Sequence, residues 1–79
     1  MTHEEMQDQF ILQNLSEGTE VQLTLIDGST IIGTLSNGNV LPEIIIGGRI
    51  IGSRIGLFSG PLTVMQPYFS EDIVEIIEI

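Results

Sequence analysis

Cysteine is absent from the 79 residues, and so are lysine and tryptophan. Without cysteine there is no disulfide framework, and the chain fits a reducing compartment. With a single His, it also lacks the ligand set of a structural zinc site. Without lysine, Arg49 and Arg54 are the whole basic complement against eleven acidic residues, a net charge of −9. Non-specific affinity for RNA or DNA comes largely from Lys and Arg displacing counterions. Charge alone therefore opposes long-range attraction to nucleic acid or to an anionic membrane. No apolar run reaches the ~18 residues of a membrane span. The opening Met1-Thr2-His3-Glu4-Glu5 is acidic and has no apolar segment like that of a signal peptide, so a cytoplasmic location is expected.

What the chain does contain is aliphatic. Apolar residues make up 42% of it, chiefly Ile, Leu and Val, which argues for a folded domain despite the charge. A chain this short makes one domain, residues 1–79, and is marginal without help. With disulfides and zinc set aside, oligomerisation is the remaining aid.

Residues 2–15 read as a short helix. Thr2 followed by Glu5 fits a capping box, and Met6 with Phe10 and Ile11 with Leu15 gather on one stripe. Ser16-Glu17-Gly18 then ends it. After Gly18 the period changes from 3.6 to 2: Val21, Leu23 and Leu25 alternate with polar residues, as do Ile31, Gly33 and Leu35. A three-residue loop at 27–29 pairs Leu25 with Ile31 and keeps both apolar sets inward. Gly33 allows a sharp bend. Ile44–Ile46 reads as a buried strand, and Gly47-Gly48 as a hairpin turn. Glycines at 48, 52, 56 and 60 fit either a small-residue helical stripe or a kinked strand. Arg49 and Arg54 favour a β-hairpin excursion over 47–61. Residues 62–69 read as another strand, with Pro67 at an edge or bulge, and Ser70–Asp72 as a one-turn element. Ile73–Ile79 fits a helix by its spacing and a strand by its β-branched content; the strand is preferred.

Leu15, Gly18, Val21, Leu23, Leu25, Asp27-Gly28 and Gly33-Thr34-Leu35 resemble the first motif of Sm and Sm-like proteins. Gln7-Asp8, followed by Phe10-Ile11, resembles the N-terminus of the bacterial branch, Hfq. The likeness covers about residues 6–46, with the hairpin of the motif at 19–46. Residues 62–79 match in outline, and 47–61 look like an insertion. The resemblance implies an all-β fold, a short N-terminal helix followed by a strongly bent, five-stranded open barrel. It also implies a homo-oligomeric ring of about five to seven subunits, closed by pairing the fourth strand of one subunit with the fifth of the next. Leu62, Val64, Ile73, Val74 and Ile76 would lie on those edges, neither of which carries a blocking Lys.

The resemblance further implies RNA bound around the pore. The family's Asp and base-reading Asn fall here on Asn39 and Glu43; a carboxylate loses the amide donor and repels phosphate. The Arg-Gly of the second family motif falls near Gln66-Pro67, and the Lys-His pair of the bacterial branch near Ser70-Glu71. Candidate nucleic-acid residues are therefore Asn39, Glu43, Arg49 and Arg54, with Arg49 and Arg54 as a remodelled site. His3 beside Glu4 and Glu5 reads as a solvated helix terminus rather than a metal ligand. Glu71-Asp72 are charges of a turn. No Ser-His-Asp, Cys-His, phosphate-loop or zinc pattern is present. No enzyme activity, cofactor or metal is expected. Two functional readings stand: an RNA-associated ring with a divergent acidic site, or a ring that has left RNA and serves as a scaffold for protein partners, basic ones among them.

Overall fold

The computed structural model describes residues 1–59 and 64–79. One short helix, α1 (His3–Leu12), precedes six strands: β1 (Glu20–Leu25), β2 (Thr30–Leu35), β3 (Leu41–Ile46), β4 (Arg49–Phe58), β5 (Gln66–Phe69) and β6 (Ile73–Glu78). A single 3-10 turn, Ser70–Asp72, joins the last two. The strands form a curled, open antiparallel sheet, a half-barrel. The strand expected within 62–69 begins at Gln66, and its first two residues lie outside the described residues.

The capping box forms as its spacing requires. The Glu5 amide donates to Thr2 Oγ1 at 3.1 Å, and the Thr2 amide to Glu5 Oε1 at 2.9 Å. The hydrogen bond from the Thr2 backbone holds the Glu5 carboxyl below the usual glutamate range. The helix ends sooner than expected, at Leu12. Asn14 takes a left-handed φ of 54°, and the Leu15 amide reaches back to Phe10 O at 2.9 Å while that of Asn14 reaches Ile11 O. This reverse turn drops Leu15 onto Phe10, and both are buried. His3, Met6 and Phe10 form the inner face. Ile11, expected on that stripe, points to solvent.

The first hairpin has a three-residue loop, one residue earlier than expected. Leu23 pairs with Ile31 and Val21 with Gly33, and the Leu25 amide donates to Ser29 O. The loop is thus 26–28. A shift of two in register preserves the face, so Val21, Leu23 and Leu35 still enter the core. The Asp27 carboxyl, bonded by the Ser29 hydroxyl and amide, is held below the usual aspartate range.

The ten-residue β4 organises the remainder. Arg54 pairs with Leu41 on one side and Phe69 on the other, and Leu57 with Leu35 and Gln66. A strand residue has one partner per edge, so β2 and β3 lie in succession along one edge of β4 and β5 along the other. Taken together, β2 and β3 act as one interrupted strand. The path is then β6-β1-(β2, β3)-β4-β5. Within the stretch 47–61, expected as an excursion, residues Arg49–Phe58 supply this strand, with Ser53, Ile55 and Leu57 buried, while 60 and 61 lie outside the described residues.

Ile44–Ile46, expected as a buried strand, is not buried. Nothing from 41 to 51 is; Ile45 and Ile46 are 61% and 64% exposed. The chain turns at Gly47-Gly48, both at positive φ (59° and 80°), as a two-residue hairpin loop requires. Two bulges, leaving Glu43 and then Ile51 without a partner, bend this hairpin. It forms an arm whose burial begins only at Gly52.

Gly33 is where β2 approaches β4 closely. A Cβ there would stand 2.8 Å from Phe58 O and 3.0 Å from Leu57 Cδ2. Because the first of these is backbone, β2 and β4 would have to separate. Gly33→Ala should therefore cost about 1–3 kcal/mol, read as a fall in thermal midpoint of several degrees. An unchanged midpoint would contradict the close crossing.

Candidate assembly edges and charged residues

The sequence-derived nucleic-acid candidates fall in three places. Arg54 and Glu43 meet across the β3–β4 hairpin, Nε to Oε2 at 3.8 Å, with side chains 39% and 38% exposed. Because Leu41 pairs with Arg54, Glu43 two residues on is the diagonal neighbour of Arg54, within reach of a long side chain. An exposed pair of this kind contributes ~0–1 kcal/mol. Its consequence lies in the charge: one of the two arginines already has a carboxylate beside it. Arg49 lies five residues away, on the order of 17 Å along an extended strand, bordering a groove with His3, Glu4 and Gln7. Asn39 is exposed in the loop after β2, its amide bonded to the Asn37 side chain at 2.8 Å, and it borders a groove with Phe10 and Ile11. The four residues thus do not converge.

The edge candidates are placed as follows. Leu62 lies outside the described residues. Val64 is exposed just before β5. Ile73 and Ile76 belong to β6, but their side chains are core. Val74 is exposed, and it is the extra residue of a bulge opposite Thr24 and Leu25.

Beyond β1, the outer side of β6 is not bare. Ile79 donates to Glu20 O, and pairing continues through Gln22–Ile77 and Thr24–Glu75. In an antiparallel ladder the alternate residues, Ile76 and Glu78, direct their peptide groups away from β1. Gln13, the last residue of the helix cap, takes them up. Its Nε2 donates to Ile76 O at 2.7 Å, and its Oε1 accepts from the Glu78 amide at 2.8 Å. A second bond from Nε2 to Gln9 Oε1 orients the amide. One side chain thus fills the place of a neighbouring strand, and pairing by another strand at 76–78 requires Gln13 to leave. Sequence reading passed over Gln13, whose role depends on where the helix stops. The other edges carry prolines: Pro42 in β3 and Pro67 in β5, each lacking a ladder donor.

His3, expected as a solvated terminus, is buried. Its Nδ1 hydrogen-bonds Ser53 Oγ, and the Ser53 amide donates to Ser70 Oγ at 2.8 Å. The helical spacing of 3, 6 and 10 carries His3 onto the inner face with Met6 and Phe10. Although Ser and His meet, both are enclosed, and the contact ties α1, β4 and the 3-10 turn together. Among the described residues no three of His, Asp and Glu converge as a metal cluster would require. No described helix is long and apolar enough to cross a membrane.

No known family model, curated protein or solved structure matches this chain.

The two polar contacts should differ sharply in weight. Ser53→Ala leaves a buried imidazole nitrogen without its partner and should cost about 1–3 kcal/mol. Glu43→Gln, Arg54→Gln and the double variant should each stay within ~1 kcal/mol of wild type. Urea unfolding midpoints measure both. Equal costs at the two sites would show that the Ser53 contact does not hold the helix.

Proposed function

We propose that this chain is a non-enzymatic, self-associating Sm-like module serving as a protein-interaction scaffold. The observation that carries the reading is the arm at 41–51, where Leu41, Ile45, Ile46, Ile50 and Ile51 stand exposed on a chain of only 79 residues. Burying one such side chain contributes ~1.5–3 kcal/mol, and exposed apolar residues gathered on one element point to an interaction site. A small core gives the same chain reason to gain stability by association. The Sm-like part is supported by the order of elements: a capped helix, a bent first hairpin, and the path β6-β1-(β2, β3)-β4-β5 with β5 and β6 at its ends. In that reading, a ring of about five to seven copies that pairs β5 of one copy with β6 of the next needs Gln13 to withdraw.

RNA association is the weaker reading. Glu43 stands at the position that would read a base and is engaged with Arg54. Arg49 is left as one separate arginine on a chain of net charge −9. Repulsion of phosphate from every copy adds around an assembly.

Light scattering coupled to size exclusion at micromolar concentration should give a mass of several subunits. A monomer mass would remove the scaffold reading. Uridine-rich RNA should not bind at roughly 0.15 M salt in a fluorescence anisotropy titration. Tight binding that is lost when Arg49 and Arg54 are both replaced by Ala would restore the RNA reading.

A further inference from the structure

We infer that the tip of the β3–β4 arm docks into a groove on a second copy of this chain. That groove lies between the first hairpin loop and β5, with Ile26, Pro67, Tyr68 and Phe69 lining it and Asp27 and Asp72 at its rim. The inference rests on the self-association reading and specifies its contact.

Shape, polarity and charge all lead to this occupant. The groove is concave, about 350 Å³, and mostly apolar. In its own chain no residue of the arm lines it. The arm presents Ile45, Ile46, Ile50 and Ile51 to solvent on either side of a tight Gly47-Gly48 turn. Its tip carries Arg49. Among the described residues the one ion pair is Glu43–Arg54, so Arg49 has no carboxylate partner and Asp72 no basic one. The segment 44–51 is apolar and carries a net positive charge on a strongly acidic chain. The groove has the inverse character, apolar walls with two carboxylates. Docking would place Arg49 against Asp72 and the isoleucines against Ile26 and Tyr68. It would also use side-chain faces, the surfaces left available where prolines and Gln13 obstruct strand pairing. The contact is head-to-tail, arm to groove, so each copy offers one of each and the copies can form a closed ring.

The absence of cysteine makes the contact directly testable in the full chain. Ile50→Cys and Ile26→Cys alter exposed positions, and matched thermal midpoints would establish that both variants fold. When they are mixed under mild oxidation, the mixed disulfide should form in clear excess over either homotypic one. Adding Arg49→Glu to the Ile50→Cys chain should lower the mixed yield roughly tenfold. Placing Asp72→Arg on the Ile26→Cys chain should then restore it. Predominance of the Ile50–Ile50 product would mean that arms meet arms and would overturn the inference. No cross-link in a preparation that scatters as an oligomer would overturn it too, leaving self-association intact. No cross-link together with a monomer mass would remove both. Flotation of the wild-type chain with anionic vesicles, abolished by Ile45→Ser with Ile46→Ser, would assign the arm to lipid instead.

Discussion

One strand is too long for any single partner, and the fold is organised around that mismatch. β4 runs ten residues, while its neighbours β2, β3 and β5 have six, six and four. β2 covers its far end, β3 its near end and β5 the opposite edge from Arg54 to Leu57. Where β4 meets β2, inward side chains build the core, and Gly33 permits the close crossing. At Ser53 it bonds to both the helix and the 3-10 turn. Before Gly52 its only strand partner among the described residues is β3, and neither strand is buried there. A strand that is core at one end and arm at the other follows from two partners dividing one edge. The division comes from the loop 36–40, which interrupts β2 before it can cover the whole length.

The same sheet manages its edges by three separate means. β3 and β5 each carry a proline, and the β3–β4 hairpin is bent by two bulges. β6 has Gln13, whose amide donates to Ile76 and accepts from Glu78. Exposed strand edges invite unwanted pairing, and prolines, bulges and covering elements are common defences. Side-chain faces are left less guarded. Association through the isoleucines of the arm therefore needs no change in the ladder, whereas association through β6 needs one.

Local chemistry made several features readable in the residues. The capping box was legible because Thr2 and Glu5 act on each other's backbone, and the Gly47-Gly48 turn because its geometry demands that composition. The face of the first hairpin survived an error in loop position, since a shift of two leaves alternation unchanged. Three other features needed tertiary information. The apolar run Ile44–Ile46 has the composition of a buried strand, yet no second layer reaches it. The spacing of Ile73 and Ile76 imitates a helix because the bulge at Val74 offsets the alternation, so that residues three apart both face inward. His3 and Gln13 carry no local signal. Their partners, Ser53 and the Ile76–Glu78 segment, are fifty residues or more away in the chain.

Charge sets a direction that separates assembly from nucleic-acid binding. Copies of net charge −9 repel one another over a screening length of roughly 8 Å at 0.15 M salt and ~30 Å at 0.01 M. The apolar contact inferred between arm and groove would not weaken as salt rises, and one exposed ion pair contributes at most ~1 kcal/mol to be screened. The repulsion spread over both whole surfaces is the larger electrostatic quantity at low salt. Added salt should therefore strengthen association between copies up to physiological strength. Binding to RNA has the opposite slope, because each phosphate contact releases counterions into a solution already richer in them. Arg54 already stands beside Glu43, and the docking inferred above would set Arg49 at the tip of the arm against a carboxylate as well.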